Sequence, residues 1–214
     1  MFPSMNTADM IIENAKEKRG GSWINHSIET GKCAKKIAEL CGMDGEKAYV
    51  LGLLHDIGKS TDGQFRHILE GYKMMSEMGY DTVAQICLTH TFPIKDITTY
   101  VGKFDVSIME LEFVQNKITK YEYNDYDRLI QLCDSMVMSK GPVTLEERMK
   151  DIIMRYGSVY PAEKRQIIYS LKEYFESKIG KYIYSVLNVD EYGARKILYI
   201  NGSEKMFEKI LIQN

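Results

Sequence analysis

No run of 18 apolar residues occurs in this 214-residue chain, so no stretch reads as a membrane-crossing helix. An excess of one charge is missing too. The 28 basic and 30 acidic residues nearly cancel without long single-sign blocks, and composition therefore supplies no pull toward nucleic acid or an anionic membrane. A local site for a small anion stays open. Cysteine is scarce: Cys33, Cys41, Cys87 and Cys133 form no Cys-x-x-Cys pair, which gives a disulfide frame or structural zinc site little support and predicts buried free thiols. Only Pro3 and Pro93 precede residue 142, so long helices can run through the first two thirds. Met1-Phe2-Pro3-Ser4-Met5 leads into a polar segment, with no basic region before an apolar one, and the reading is a soluble cytoplasmic protein. The 44% apolar content suffices for the core of one ordinary domain.

Helical periodicity predicts an all-α fold. Residues 7–19 follow an Asn6-Thr7 cap signal and close on Gly20-Gly21. From about His26 to Cys41, the residues His26, Cys33, Ile37 and Cys41 recur on one face, and Gly42 supplies the stop. Asp44 caps a third helix ending around Asp56 to Gly58. A fourth, near 65–78, places His67, Gly71, Met74 and Met78 on one stripe, and a fifth, capped by Asp81, carries Val83, Ile86, Cys87 and His90. Residues 94–123 are less regular, with an amphipathic piece at Ile108–Val114. Asn124 opens a helix to about Lys140 that embeds Asp134 among apolar residues and ends at Gly141-Pro142. Beyond it, Leu145–Tyr156 and Ala162–Val186 read as helices and Tyr192–Asn214 as mixed, with no histidine or cysteine.

The four histidines, His26, His55, His67 and His90, all fall in the first 90 residues, each on a different helix. His55 stands directly before Asp56 in Leu53-Leu54-His55-Asp56-Ile57-Gly58-Lys59. Adjacent helical side chains project about 100° apart, so both reach one ion only beside a helix end, and Gly58 supplies that end. With Asp134, six nitrogen and oxygen donors on five helices are what a metal site in a bundle core requires.

The ordered set His26, His55-Asp56, His67, His90 and Asp134 resembles the HD-domain superfamily of metal-dependent phosphohydrolases, in particular the small bacterial members with an HDIGK motif. Local phrasing is similar over about residues 22–140: Asn25-His26-Ser27, Leu54-His55-Asp56-Ile57-Gly58-Lys59, His67-Ile68-Leu69-Glu70-Gly71-Tyr72 and Leu132-Cys133-Asp134-Ser135. The resemblance implies an HD-type metal-binding helical domain at 1–140 and a helical extension at 141–214 packed on the same bundle. It implies one divalent ion on His26, His55, Asp56 and Asp134, with Asp56 bridging to a second on His67 and His90. Such ligands suit manganese, iron, nickel, cobalt or zinc better than calcium, and the sequence does not choose among these and magnesium. Two ions about 4 Å apart would share a hydroxide for in-line attack on phosphorus. Asp56 and Lys59 are the candidate catalytic residues, and Lys59 and Arg66 the candidate clamps on substrate phosphate.

Alternatives stand beside several of these assignments. Asp127, seven residues before Asp134, is a competing ligand or a first-turn aspartate. His67 and His90 could instead pack around a mononuclear site, and Lys59 could serve only as a charge at a helix end. The methionines Met74, Met75 and Met78 read as core, and Tyr121, Tyr123 and Tyr126 as packing or base-stacking residues. The resemblance thus implies a phosphohydrolase cleaving a small phosphate ester or anhydride, of nucleotide type, while the charge balance predicts no nucleic-acid or membrane partner and a homodimer stays open. A di-iron oxygenase, revealed by oxygen consumption, and a nucleotide sensor, which binds without turnover, are the rival readings.

Overall fold

The computed structural model describes residues 1–157 and 159–189. The mixed segment expected at Tyr192–Asn214 lies outside them. Ten α-helices occur among the described residues, with one two-stranded hairpin, and the fold is all-α. In chain order they are α1 (Met5–Lys18), α2 (Ser22–Leu40), α3 (Gly45–Leu54), α4 (Arg66–Glu77), α5 (Asp81–Thr89), α6 (Ile108–Lys120) and α7 (Asp125–Asp134). The hairpin strands β1 (Val137–Met138) and β2 (Gly141–Pro142) follow, then α8 (Leu145–Tyr156), α9 (Ala162–Ile179) and α10 (Ile183–Leu187).

Local chemistry sets most of these boundaries. Ser4 rather than Asn6 caps α1, its hydroxyl accepting from the Thr7 amide at 3.1 Å. Asp44 caps α3 through the Lys47 amide, and Ser107, Asn124 and Thr144 each open a helix with a reciprocal capping box. Asp81 is the first residue of α5 rather than its cap. The helix expected from Asn124 to Lys140 stops at Asp134, because Gly141, at φ +121°, turns the chain and pairs Val137–Met138 antiparallel with Gly141–Pro142. The helix expected over Ala162–Val186 is divided at Gly180, a left-handed C-cap at φ +70°.

One apolar core runs through the bundle. Ile37 of α2, Leu51 and Leu54 of α3 and Leu129 and Leu132 of α7 are fully buried in it, and it extends to Ile168 and Phe175 of α9. A smaller cluster of Phe65, Ile68, Phe92, Val114 and Ile118 seats α6 against α4 and α5. Cys33, Cys87 and Cys133 are buried free thiols and Cys41 is half-buried. No described helix is long and apolar enough to cross a membrane.

Two glycine contacts bring the histidine-bearing elements together. Gly31 of α2 faces Gly52 of α3 so closely that a Cβ on Gly52 would lie 2.7 Å from the Gly31 Cα. After α3, Ile57–Ser60 form a 3-10 turn against α4, where a Cβ on Gly58 would meet the His67 carbonyl oxygen at 2.0 Å and the Gly71 amide nitrogen at 2.5 Å. Backbone cannot yield as a side chain can. Gly58→Ala is therefore expected to lower stability by about 3 kcal/mol or more in urea unfolding, against about 1 kcal/mol for Gly71→Ala, whose Cβ meets the Cys87 Sγ at 3.1 Å. Equal, small losses at both positions would contradict this packing.

Candidate metal centre

His26 projects from the second turn of α2, His55 is the C-cap of α3, and Asp56 begins the 3-10 turn. His67 lies in the first turn of α4, His90 caps the end of α5 and Asp134 ends α7. The structure brings all six side chains to one place. The four histidines and Asp56 are at least nine-tenths buried, and the Asp134 side chain is 21% exposed.

Asp56 sits at the centre. Its Oδ2 lies 3.4 Å from His55 Nε2 and 3.8 Å from His26 Nε2, while its Oδ1 lies 3.2 Å from His67 Nε2 and 3.5 Å from His90 Nε2. Asp134 Oδ1 completes the first group at 3.0 Å from His26 Nε2 and 3.8 Å from His55 Nε2. The carboxylate of Asp56 thus turns one oxygen toward each histidine pair.

The tautomers follow from the other ring nitrogens. Nδ1 of His26 donates to the Val137 carbonyl at 3.1 Å, that of His55 to Gly52 at 2.6 Å, and that of His90 to Cys87 at 3.0 Å; that of His67 donates to Gln64. A carbonyl only accepts, so each Nδ1 carries a proton, and a ring that is neutral, as burial favours for His26 and His90, has its lone pair on Nε2. The hairpin has a specific use here, since β1 supplies the carbonyl that orients His26. Burial lowers the pKa of His26 to about 4, against the opposing pull of Asp134. It lowers that of His90 to about 3, aided by His55. For Asp56 burial acts upward, but Lys59, then His55 and His67, outweigh it and hold the carboxyl well below the usual range. Asp134 is likewise held low, burial being outweighed by the contact with His26.

Imidazole nitrogens therefore crowd two buried carboxylates, with His26 Nε2 at hydrogen-bond distance, 3.0 Å, from Asp134 Oδ1, and a cation can replace the shared proton as the bridge between them. His55 Nε2 and Asp56 Oδ1 are buried with no hydrogen-bond partner. Ligand atoms of His26, His55 and Asp134 lie within 4.8 Å of one another, as do those of His55, Asp56 and His90. This donor set fits a divalent transition metal, and the carbonyls behind each ring are the outer partners that such imidazoles use.

Lys59 pairs its ammonium with Asp56 and lines the cavities on either side of it. Arg66 is placed elsewhere: it donates to the Asp105 carbonyl at 2.9 Å and faces Glu110 at 3.5 Å. Three cations outside the motif line the cavity above the cluster, Arg148 and Arg155 from α8 and Lys164 from α9. The signal for Lys164 is a lysine on the buried stripe it shares with Ile168 and Phe175; Arg148 carries none.

Asp127, the alternative to Asp134, is engaged as a structural anchor away from the histidines. It is fully buried and accepts from Thr89 Oγ1 at 2.8 Å, Gln85 Nε2 at 3.0 Å and the Asn124 amide at 3.0 Å, tying α5 to the start of α7. Asp127→Ala leaves these donors unpaired and is expected to cost about 3 kcal/mol in urea unfolding while metal content per folded chain is unchanged. Asp134→Ala is expected to lower metal content instead. Elemental analysis of both variants checks the division, and metal loss confined to Asp127→Ala would reverse it.

Parts of this chain are similar to proteins of known type. Ribonuclease Y of Mycoplasmoides gallisepticum is 28% identical over 149 residues, 66% of this chain and 24% of that protein. Ribonuclease Y of Mycoplasma capricolum subsp. capricolum is 38% identical over 71 residues, 32% of this chain and 14% of that protein. For Rhodopirellula baltica Ribonuclease Y the identity is 48% over 48 residues, 22% of this chain and 8% of that protein. The chain thus spans no more than a quarter of the length of these relatives. No solved structure matches. The model of the HD domain matches residues 23–138, a span that contains all four histidines, Asp56 and Asp134, and the chain belongs to the HD-domain family of metal-dependent phosphohydrolases.

Proposed function

We propose that this chain hydrolyses a small phosphorylated substrate of the nucleotide class, using two divalent ions that share the Asp56 carboxylate. The observation that carries the reading is the division of the Asp56 oxygens, one toward His26 and His55, the other toward His67 and His90. His26, His55, Asp56 and Asp134 would hold one ion, and Asp56, His67 and His90 the other. When bound, divalent ions at such a cluster acidify water and neutralise charge on phosphoryl oxygens.

The protein's part is to orient and to exclude. Main-chain carbonyls fix each imidazole with Nε2 inward, and the buried cluster leaves Asp134 as its most exposed member. Lys59 sets an ammonium beside Asp56 where a phosphate oxygen would enter, a charge-assisted contact that persists as the phosphoryl group transfers.

Beside the cluster lies a cavity of about 270 Å³ lined by Arg19, Trp23, Gln64, Tyr100 and Tyr156, which shares Lys59 and His67 with the rim of the centre. That volume is just below the range of ligand pockets, roughly 300–1,000 Å³, and its aromatic rings suit a nucleobase. A net charge of −2 favours a small ligand over a long polyanion. The relatives named Ribonuclease Y favour RNA, so a short oligoribonucleotide belongs beside mononucleotides in the test.

Phosphate release is to be measured across a nucleotide panel with manganese, iron, nickel, cobalt, zinc and magnesium in turn. The expected result is turnover of at least one small nucleotide, about two metals per chain, and loss of both in Asp56→Ala, with hydrolysis at no more than about one thousandth. Full turnover by a metal-free Asp56→Ala protein would overturn the proposal. Saturation at one metal would leave a mononuclear centre.

A further inference from the structure

Two lysines of α9, Lys164 and Lys172, lie on its buried stripe with Ile168 and Phe175. Their surroundings differ in one respect. Lys172 has Glu176 four residues on, with Nζ to Oε1 at 2.7 Å, and the Tyr184 ring at 4.5 Å. The residue four beyond Lys164 is Ile168. Lys164 is only 5% exposed, and among the described residues no carboxylate lies within ion-pair distance of it. Its ammonium donates to the Thr99 carbonyl at 3.3 Å and lies 5.6 Å from the centre of the Tyr160 ring.

A buried ammonium without a counter-ion costs stability. Burial lowers the Lys164 pKa to about 8, against the upward pull of the Asp134 charge. Its place, in the first turn of α9, adds the positive end of a helix whose Pro161 N-cap offers no side-chain acceptor. The side chain lines the cavity above the metal cluster together with Arg148 and Arg155. Those two arginines share the Asp151 carboxylate, with Arg148 Nη1 at 2.9 Å and Arg155 Nη2 at 2.6 Å from its Oδ2, and Arg148 Nη2 also lies 3.6 Å from Asp134 Oδ1. Arg148 also donates through Nε to the Asp134 carbonyl at 3.2 Å, which fixes α8 beside the cluster. The two acids lining this cavity, Asp56 and Asp134, belong to the metal set.

We propose that Lys164, with Arg148 and Arg155 beside it, is a phosphate clamp supplied by α8 and α9, and that it selects substrates carrying a phosphate group in addition to the phosphoryl group held at the cluster. This rests on the reading of the cavity as the seat of a phosphorylated substrate. It gives the helices beyond residue 144 a part in specificity, with Lys164 as the determining residue and Arg148 as its link to Asp134.

The test titrates inorganic pyrophosphate into the full-length, chelator-treated protein at low salt by calorimetry. Without metal, Asp56 and Asp134 repel anions, so binding reports the clamp. Lys164→Met is expected to weaken pyrophosphate binding at least about tenfold with an unchanged or higher melting midpoint, because an apolar side chain of similar length suits a buried position. Lys164→Arg should stay within about threefold of the parent, and Asp56→Ala should bind pyrophosphate at least as tightly. No binding by the parent, or equal affinity in parent and Lys164→Met, overturns the clamp. So does a lost affinity that comes with a fallen melting midpoint and is not rescued by arginine, which would assign Lys164 to packing alone. Intact pyrophosphate binding without hydrolysis on any metal would count against the phosphohydrolase reading and leave the clamp standing.

Discussion

The Asp56 carboxylate is held out of water among four imidazoles, and each of those rings has its Nδ1 proton committed to a main-chain carbonyl. Everything nearby follows from that arrangement. With each outer nitrogen occupied, the inner ones are left to face the two carboxylates at 3.0–3.8 Å, and the cluster is completed by positive charge. The ammonium of Lys59 meets Asp56 from one side, while His55 Nε2 and Asp56 Oδ1 keep no partner. Desolvation favours the neutral form of His26 and His90, so the fold sets the ligand state of these rings before any ion binds.

Holding five elements that close asks more of the backbone than of the side chains. Gly31 and Gly52 let α2 and α3 approach nearly main chain to main chain, and Gly58 lets the 3-10 turn lie on α4. The first contact sets His26 near His55, and the second sets Asp56 near His67. Asp127 does corresponding work from the far side, since its carboxylate joins α5 to the start of α7 and so fixes the helices that carry His90 and Asp134. The hairpin closes the set by turning the Val137 carbonyl onto His26.

Above this floor the charge balance reverses. Asp56 and Asp134 lie at the base of the cavity, and Lys59, Arg148, Arg155 and Lys164 stand around them. Acids beneath and cations above suit a phosphate group placed between metal ions and a basic wall. The C-terminal helices provide most of that wall, and α9 packs through Ile168 and Phe175 into the same core as α2, α3 and α7.

The residues themselves carried the candidate ligand set and the helical class. Imidazoles and carboxylates announce metal chemistry by type, and their phase on apolar stripes places them inward whatever the partners are, so His26, His55, Asp56, His67, His90 and Asp134 could be singled out together. Choosing Asp134 over Asp127 needed the structure, because one helix phase presents both inward and only the neighbours Gln85 and Thr89 distinguish them. The end of α7 was hidden as well, since its hairpin depends on a glycine turn and on a carbonyl required by a histidine 111 residues earlier. Arg66, Arg148 and Lys164 show the same limit from the side of charge. A long flexible side chain is aimed by whatever packs around it, so Arg66 turns to Asp105 and Glu110 while Lys164 is trapped over the cavity. Residue type and helical period are local properties and were legible in the chain, whereas the direction of a long cation is decided only when distant helices close around it.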